Sequence, residues 1–229
     1  MAMNYATDVS PCVFDLETAG LDNAADYLEP VQPAKNLVDP AKVKADIEKR
    51  TAERDEKLAL DWNVGRIVAL GWWTEQGGEQ CRVCLNEREE AAVIAEFWRV
   101  SLHRTLVGFA CKGFDLRYLI QRSRLLGLVH PSLDLGKYSH KGIEDLYLTL
   151  TFGDGTYEQG AMRRTLHAFC RRFDIPITDA LSGKDIAGLV ADGDWASVEQ
   201  HCLSDVQLTL ALARRLGVVQ AQPEAAGVL

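Results

Sequence analysis

No stretch of this sequence stays apolar for long enough to span a membrane, which takes about 20 such residues. The opening residues MAMNYATDVS lack the basic-then-apolar order of a secretory leader, so a soluble protein of the cytoplasm is expected. Positive charge is also scarce: 25 Lys and Arg against 33 Asp and Glu leave a net charge of −8. That excludes coating of nucleic acid by general basicity. Local contact stays open, because bound divalent cations bring positive charge that residue counting misses. The six cysteines have no framework spacing. Their one close pair, Cys81 and Cys84, stands in the strand-like stretch EQCRVCLN, without the second pair that a four-ligand zinc site needs. Reduced, buried thiols are expected. Internal repeats and low-complexity tracts are absent too, and 47% hydrophobic content over 229 residues is ample for a core.

What is present reads as alternating elements. PCVFDLE is a short buried strand, and GRIVALGWWTE with GEQCRVCLN is a hairpin turning at Gly77 and Gly78. EREEAAVIAEFWRVSL carries acids in its first turn and Ala92, Ile94, Ala95, Phe97 and Trp98 at mostly helical intervals. TLVGFA follows as a buried strand running out at Ala110, and strand, helix, strand implies a parallel crossover. Residues 114–128 are expected to be helical, GIEDLYLTLTF is strand or helix, and RRTLHAFCRRF is helical. A long last helix is capped by Asp194 and closes on a basic turn before Gly217. The fold class is therefore α/β with a mixed sheet flanked by helices, one domain over residues 1–229 with a frayed tail at 220–229. Between the first two strands, residues 24–61 form an inserted arm whose helix starts at Pro40. Val43 and Ile47 give that helix only a thin apolar stripe, which favours a solvated, charge-laced helix over a nucleic-acid grip by Lys42, Lys49, Arg50 and Arg54.

Four carboxylates stand where apolar elements end or are interrupted. Asp15 and Glu17 lie two apart on a strand, hence on one face, and a strand's carboxyl end opens on the crevice where α/β sheets bind ligands. Two like charges so close repel unless a hard divalent cation sits between them. Asp115, in GFDLRYL, stands in the first turn of a helix, where the dipole favours its charge. His201 and Asp205 are four apart and share one face of the last helix, amid residues suited to a core. A buried Asp needs a partner. Taken singly, each acid is accounted for as a cap, a solvated pair or a local His-Asp bond; together they point to a cation site.

FDLET with Leu21 after it, GFDLRYL and HCLSDV, in that order, resemble the three exonuclease motifs of the DEDD superfamily of 3′-5′ exonucleases, which has a ribonuclease-H-like fold. The chain looks most similar to stand-alone, phage-like exonucleases akin to the proofreading domains of DNA polymerases. The resemblance implies that Asp15, Glu17, Asp115 and Asp205 hold two divalent ions, Mg2+ or Mn2+, with Asp15 bridging. It also implies that Thr18 and Leu21 meet the terminal nucleotide, Leu21 wedging beside the last base. Relatives have a Tyr four residues before the last Asp or a His five before it; here His201 takes the four-residue spacing. Helical spacing aims it at the site, and a neutral imidazole can take a proton from the attacking water. Relatives often have an Asn four or five residues before the middle Asp, where this chain has Cys111 and Ala110.

The expected activity is hydrolysis of the terminal phosphodiester of single-stranded DNA from its 3′ end, releasing nucleoside 5′-monophosphates. Two ions about 3.5 to 4 Å apart would do most of that chemistry. Lys112 and Arg117, flanking Asp115, are candidates to steer the strand, although solvated surface charge is the favoured reading of each. The expected partners are single-stranded 3′ ends and a DNA polymerase or another replication or repair protein. An exoribonuclease on short RNA and an inactive nucleic-acid-binding module use the same residues and stay open. A structural interaction protein built on the arm leaves the acids unexplained.

Overall fold

A computed structural model describes residues 10–136, 139–152 and 164–220. Strand β1, Pro11–Gly20, sends alternate side chains to opposite faces of the sheet. Cys12, Phe14 and Leu16 enter one core, whereas Val13 enters another, and Asp15 and Glu17 share the Val13 face. β2, Gly65–Thr74, runs antiparallel to β1, with Asp15 opposite Gly71 and a bulge between Glu17 and Thr18. β3, Gly78–Val83, pairs antiparallel with β2, and Gly78 takes φ 63°, the left-handed turn conformation that glycine adopts without strain. β4, Thr105–Gly108, and β5, Ile143–Asp145, complete the sheet in parallel, in the order β3-β2-β1-β4-β5. The acids thus stand on the middle strand of a mixed sheet, in the expected fold class.

Helix α1, Pro40–Asp55, is the arm, started by an Asp39 cap that accepts the Ala41 N–H. No residue of it is buried, as its thin apolar stripe implies. Helix α2, Glu87–Val100, crosses over from β3 to β4 after its Asn86 cap. Together with α3, Asp115–Leu125, it covers the Phe14 face, where Phe97 packs between Phe14, Trp72 and Trp98 at centroid distances of 5.2 to 6.1 Å. Each such side chain taken from water is worth about 1.5–3 kcal/mol. A buried ion pair locks these helices to the sheet. Arg122 of α3 donates twice to Glu90 of α2, at 2.8 and 2.7 Å, and Glu90 also accepts the Ile67 N–H of β2.

The opposite face is covered by α4, Leu146–Leu150, α5, Leu166–Arg172, α6, Ile186–Asp192, and the long α7, Trp195–Arg215. α7 starts at the expected Asp194 cap and stops before Gly217, whose φ is 72°. Three local expectations change. β4 ends at Gly108, two residues early, because the chain bends through Ala110 at φ 56°. GIEDLYLTLTF is both strand and helix, divided where Asp145 ends β5 and caps α4. Helix α6 was not foreseen: it is seven residues long and buries one side chain, Ile186. All six cysteines are free and buried, and no helix among the described residues is long and apolar enough to cross a membrane. The expected tail after Gln220 lies outside the described residues.

Candidate active site

Gly71 decides how close α7 comes to the strand that carries the acids. A Cβ there would lie 2.9 Å from Val206 Cγ2 and 3.0 Å from Cys202 Sγ, so only glycine lets the helix seat against β1 and β2. The Cys202 thiol then donates to the Asp15 carbonyl at 3.7 Å. His201, one residue before that contact, and Asp205, three residues after it, face the Asp15–Glu17 side of β1.

Asp115 arrives from the third direction. A Cβ on Gly108 would lie 2.6 Å from Cys111 Cβ, so glycine again allows the chain to fold back at the end of β4. Asp145 holds that bend: its carboxylate accepts the Ala110 and Lys112 N–H groups at 3.1 and 3.0 Å, besides those of Tyr147 and Leu148. Ala110 keeps a backbone conformation unusual for alanine because these bonds over-determine it. The departure from the relatives' Asn therefore falls in a loop held by Asp145, and Asp115 starts α3 just beyond it.

The four acids act on one another. Burial, and then the charges of Asp205, Glu17 and Asp115, push Asp15 well above the usual carboxylate range. Glu17 is raised by burial and by Asp205 and Asp115. Asp115 is pushed up to about 7 by burial, against its own backbone hydrogen bond, with Asp145 and Asp205 adding to the rise. Asp205 is raised by burial, which His201 and His167 partly offset. Burial and charge are thus both set against free carboxylates. Bound cations would relieve both, since they replace the lost hydration and cancel the repulsion.

Nitrogen joins the oxygens. His201 is buried, with Nε2 3.6 Å from Glu17 Oε1 and Nδ1 2.5 Å from Asp179 Oδ2. Glu17, His201 and Asp205 bring one ligand atom each to within 4.8 Å of one another. Asp205 Oδ1 is buried and makes no hydrogen bond among the described residues, with His167 Nε2 3.7 Å away, a state that suits an oxygen able to bind a ligand. Hard oxygen donors, mutual repulsion and an orphaned oxygen all fit divalent ions held by Asp15, Glu17, Asp115 and Asp205.

Of the remaining expected residues, Thr18 is buried at the β1 bulge, and Leu21 follows the strand half-buried, its N–H on the Val64 carbonyl at 2.9 Å. Lys112 is corrected: only 3% of it is exposed, and its amine donates to the carbonyls of Gly136 at 3.3 Å and of Ser139. Its charge serves the fold rather than steering a strand. Sequence reasoning missed Asp179, Asp145 and His167, whose Nε2 stands 3.7 Å from Asp205 Oδ1. Asp179 leads into a polar turn and His167 sits in an ordinary amphipathic helix, so neither carried a local signal.

The mixed sheet and its acidic cleft define an α/β domain of the ribonuclease-H-like class. Residues 60–227 match the family described as "Predicted 3'-5' exonuclease related to the exonuclease domain of PolB", and the chain belongs to that family. Asp115, His201 and Asp205 fall inside the match, whereas Asp15 and Glu17 precede it. Among solved structures, the family B DNA polymerase from the hyperthermophilic archaeon Pyrobaculum calidifontis is similar at TM-score 0.58 and 20% identity, over 91% of this chain and 24% of that one. This chain therefore spans about a quarter of that polymerase, and the likeness is one of fold. No curated protein matches the chain in sequence.

Proposed function

We propose that this chain is a metal-dependent 3′-5′ exonuclease acting on single-stranded DNA and releasing nucleoside 5′-monophosphates, with the whole chain as its one catalytic domain. The observation that carries the reading is the convergence of Asp15, Glu17, Asp115 and Asp205 from β1, α3 and α7 on one cleft, each with its carboxyl pushed upward. Two divalent ions, Mg2+ or Mn2+, would supply water activation and charge neutralisation at the scissile phosphate when bound. The protein's part is positioning. β1 fixes Asp15 and Glu17 on one face, Asp145 holds the bend before Asp115, and Asp179 fixes the His201 ring. Leu21, half-buried just beyond the strand, is the side chain we assign to the terminal base, with Thr18 beside it. The family's relation to a polymerase exonuclease domain supports a nucleic-acid substrate, which we take to be DNA; a polymerase or repair protein as partner and a bacterial or phage-infected cytoplasm are part of the same proposal.

Digestion of a 5′-labelled single-stranded DNA oligomer with Mg2+ or Mn2+ tests this reading. The native chain should give a ladder shortening from the 3′ end, and Asp15→Ala should lower the rate at least ~10³-fold while leaving the circular dichroism spectrum unchanged. DNA left intact with both ions would sink the assignment, and shortening of RNA alone would move it to the exoribonuclease reading.

A further inference from the structure

His201 brings to the acids a nitrogen donor whose two sides are unlike. The Nδ1–H of His201 donates to Asp179 Oδ2 at 2.5 Å, and the other oxygen of Asp179 accepts the Leu181 N–H at 2.9 Å. A carboxylate pinned in this way sets both the ring's orientation and its tautomer. With the proton on Nδ1, Nε2 presents a bare lone pair. It makes no hydrogen bond among the described residues and faces Glu17 Oε1 at 3.6 Å, with a carboxylate oxygen of Asp205 in the same group of atoms.

An acceptor facing two carboxylates in a buried site needs positive charge between them. A proton on Nε2 would supply that charge only as an ion pair, since 3.6 Å is beyond a hydrogen bond. A cation does it well. Two donors each about 2.1 Å from one ion and 3.6 Å from each other subtend an angle of ~120°, an ordinary ligand angle. The buried Asp205 Oδ1, which has the His167 imidazole 3.7 Å away but makes no hydrogen bond among the described residues, is a second sign of an oxygen suited to a ligand.

We propose that His201 Nε2 is itself a metal ligand, with Glu17 and Asp205 and oriented by Asp179, which makes one cation position a mixed nitrogen and oxygen site. Such a site takes a first-row divalent transition ion, of which Mn2+ is the hardest common example, in preference to Mg2+. Magnesium favours oxygen donors and regular octahedra, whereas an imidazole raises affinity along the transition series. The inference rests on the metal-dependent reading above and assigns His201 as a donor to the ion, in place of the proton-accepting role expected from its spacing.

The test uses the full chain stripped of metal with EDTA, titrated calorimetrically with Mn2+ and separately with Mg2+, with electron spin-echo spectra of the Mn2+-bound protein. An imidazole ligand shows there as a nitrogen-14 modulation. Native protein should show it and His201→Gln should not. Mn2+ affinity should fall about 10–100-fold in His201→Gln and in Asp179→Asn, with Mg2+ affinity changing less than about threefold. Circular dichroism confirms that both variants fold. Bound Mn2+ without nitrogen-14 modulation, or equal losses for both ions, overturns the assignment. If the native protein still shortens DNA in that case, only the ligand assignment falls; if it binds neither ion, the metal-dependent reading falls with it.

Discussion

Helix α1 and the cleft behind β1 are both rich in charge, and the charge does opposite things in the two places. On α1, Lys44 with Glu48, Lys49 with Glu53 and Arg50 with Asp46 form (i, i+4) pairs along a helix that buries nothing. Water screens such pairs, and each contributes little to stability. In the cleft, carboxylates with no compensating lysine or arginine among the described residues sit under α7, where water is scarce. There the same kind of side chain is driven far from its ordinary titration. Charge is informative about function where it is dry and unbalanced.

Three measurements would break or sharpen this contrast. The largest effect is expected at the dry, balanced extreme. Arg122 and Glu90 both have fully buried side chains, so Arg122→Ala leaves an uncompensated buried carboxylate and should cost about 3–5 kcal/mol, read from urea unfolding. A loss as small as that of a surface pair would show that burial is not what separates the two regions.

An intermediate effect is expected in the cleft and depends on pH. Asp115 titrates at about 7 in the fold against an ordinary 3.8, so between those values the folded chain keeps a proton that the unfolded chain has released. Stability from this group is therefore fully present below pH ~4 and lost as pH rises toward 7. In metal-free protein, Asp115→Asn should match the native melting temperature at pH 4 and exceed it by ~4 °C or more at pH 7. Thermal melts in EDTA at the two pH values check this, and a difference that did not grow with pH would contradict the cleft's electrostatics.

The smallest effect belongs to the arm. Lys49→Ala should change unfolding free energy by less than about 0.5 kcal/mol in urea titrations. A larger change would mean that α1 packs against something.

Much of this molecule was legible because the rules that shape it are local. The alternation of PCVFDLE, the Asp194 cap and Gly217 stop of α7, and the bend at Gly78 each depend on neighbours a few residues away. The helical spacing of His201 and Asp205 also put them on one face before any contact was known. Other features depend on distant partners. Asp145 matters because the Ala110 and Lys112 N–H groups reach it from more than thirty residues back. Lys112 looked available to a substrate until Gly136 and Ser139 took its amine. Asp179 had no helical or strand spacing to mark it, and only the packing of its turn beside α7 brings it to His201.

The sequence by itself determined the order of the elements, the mixed α/β class and the candidacy of the four acids, because periodicity, caps and motif residues are written along the chain. Only the tertiary structure decided that those acids share one cleft, that a histidine nitrogen points into it and that a lysine does not. The first two outcomes depend on how closely α7 can approach β1. That distance is set by the missing Cβ of Gly71 and by packing between residues more than a hundred positions apart.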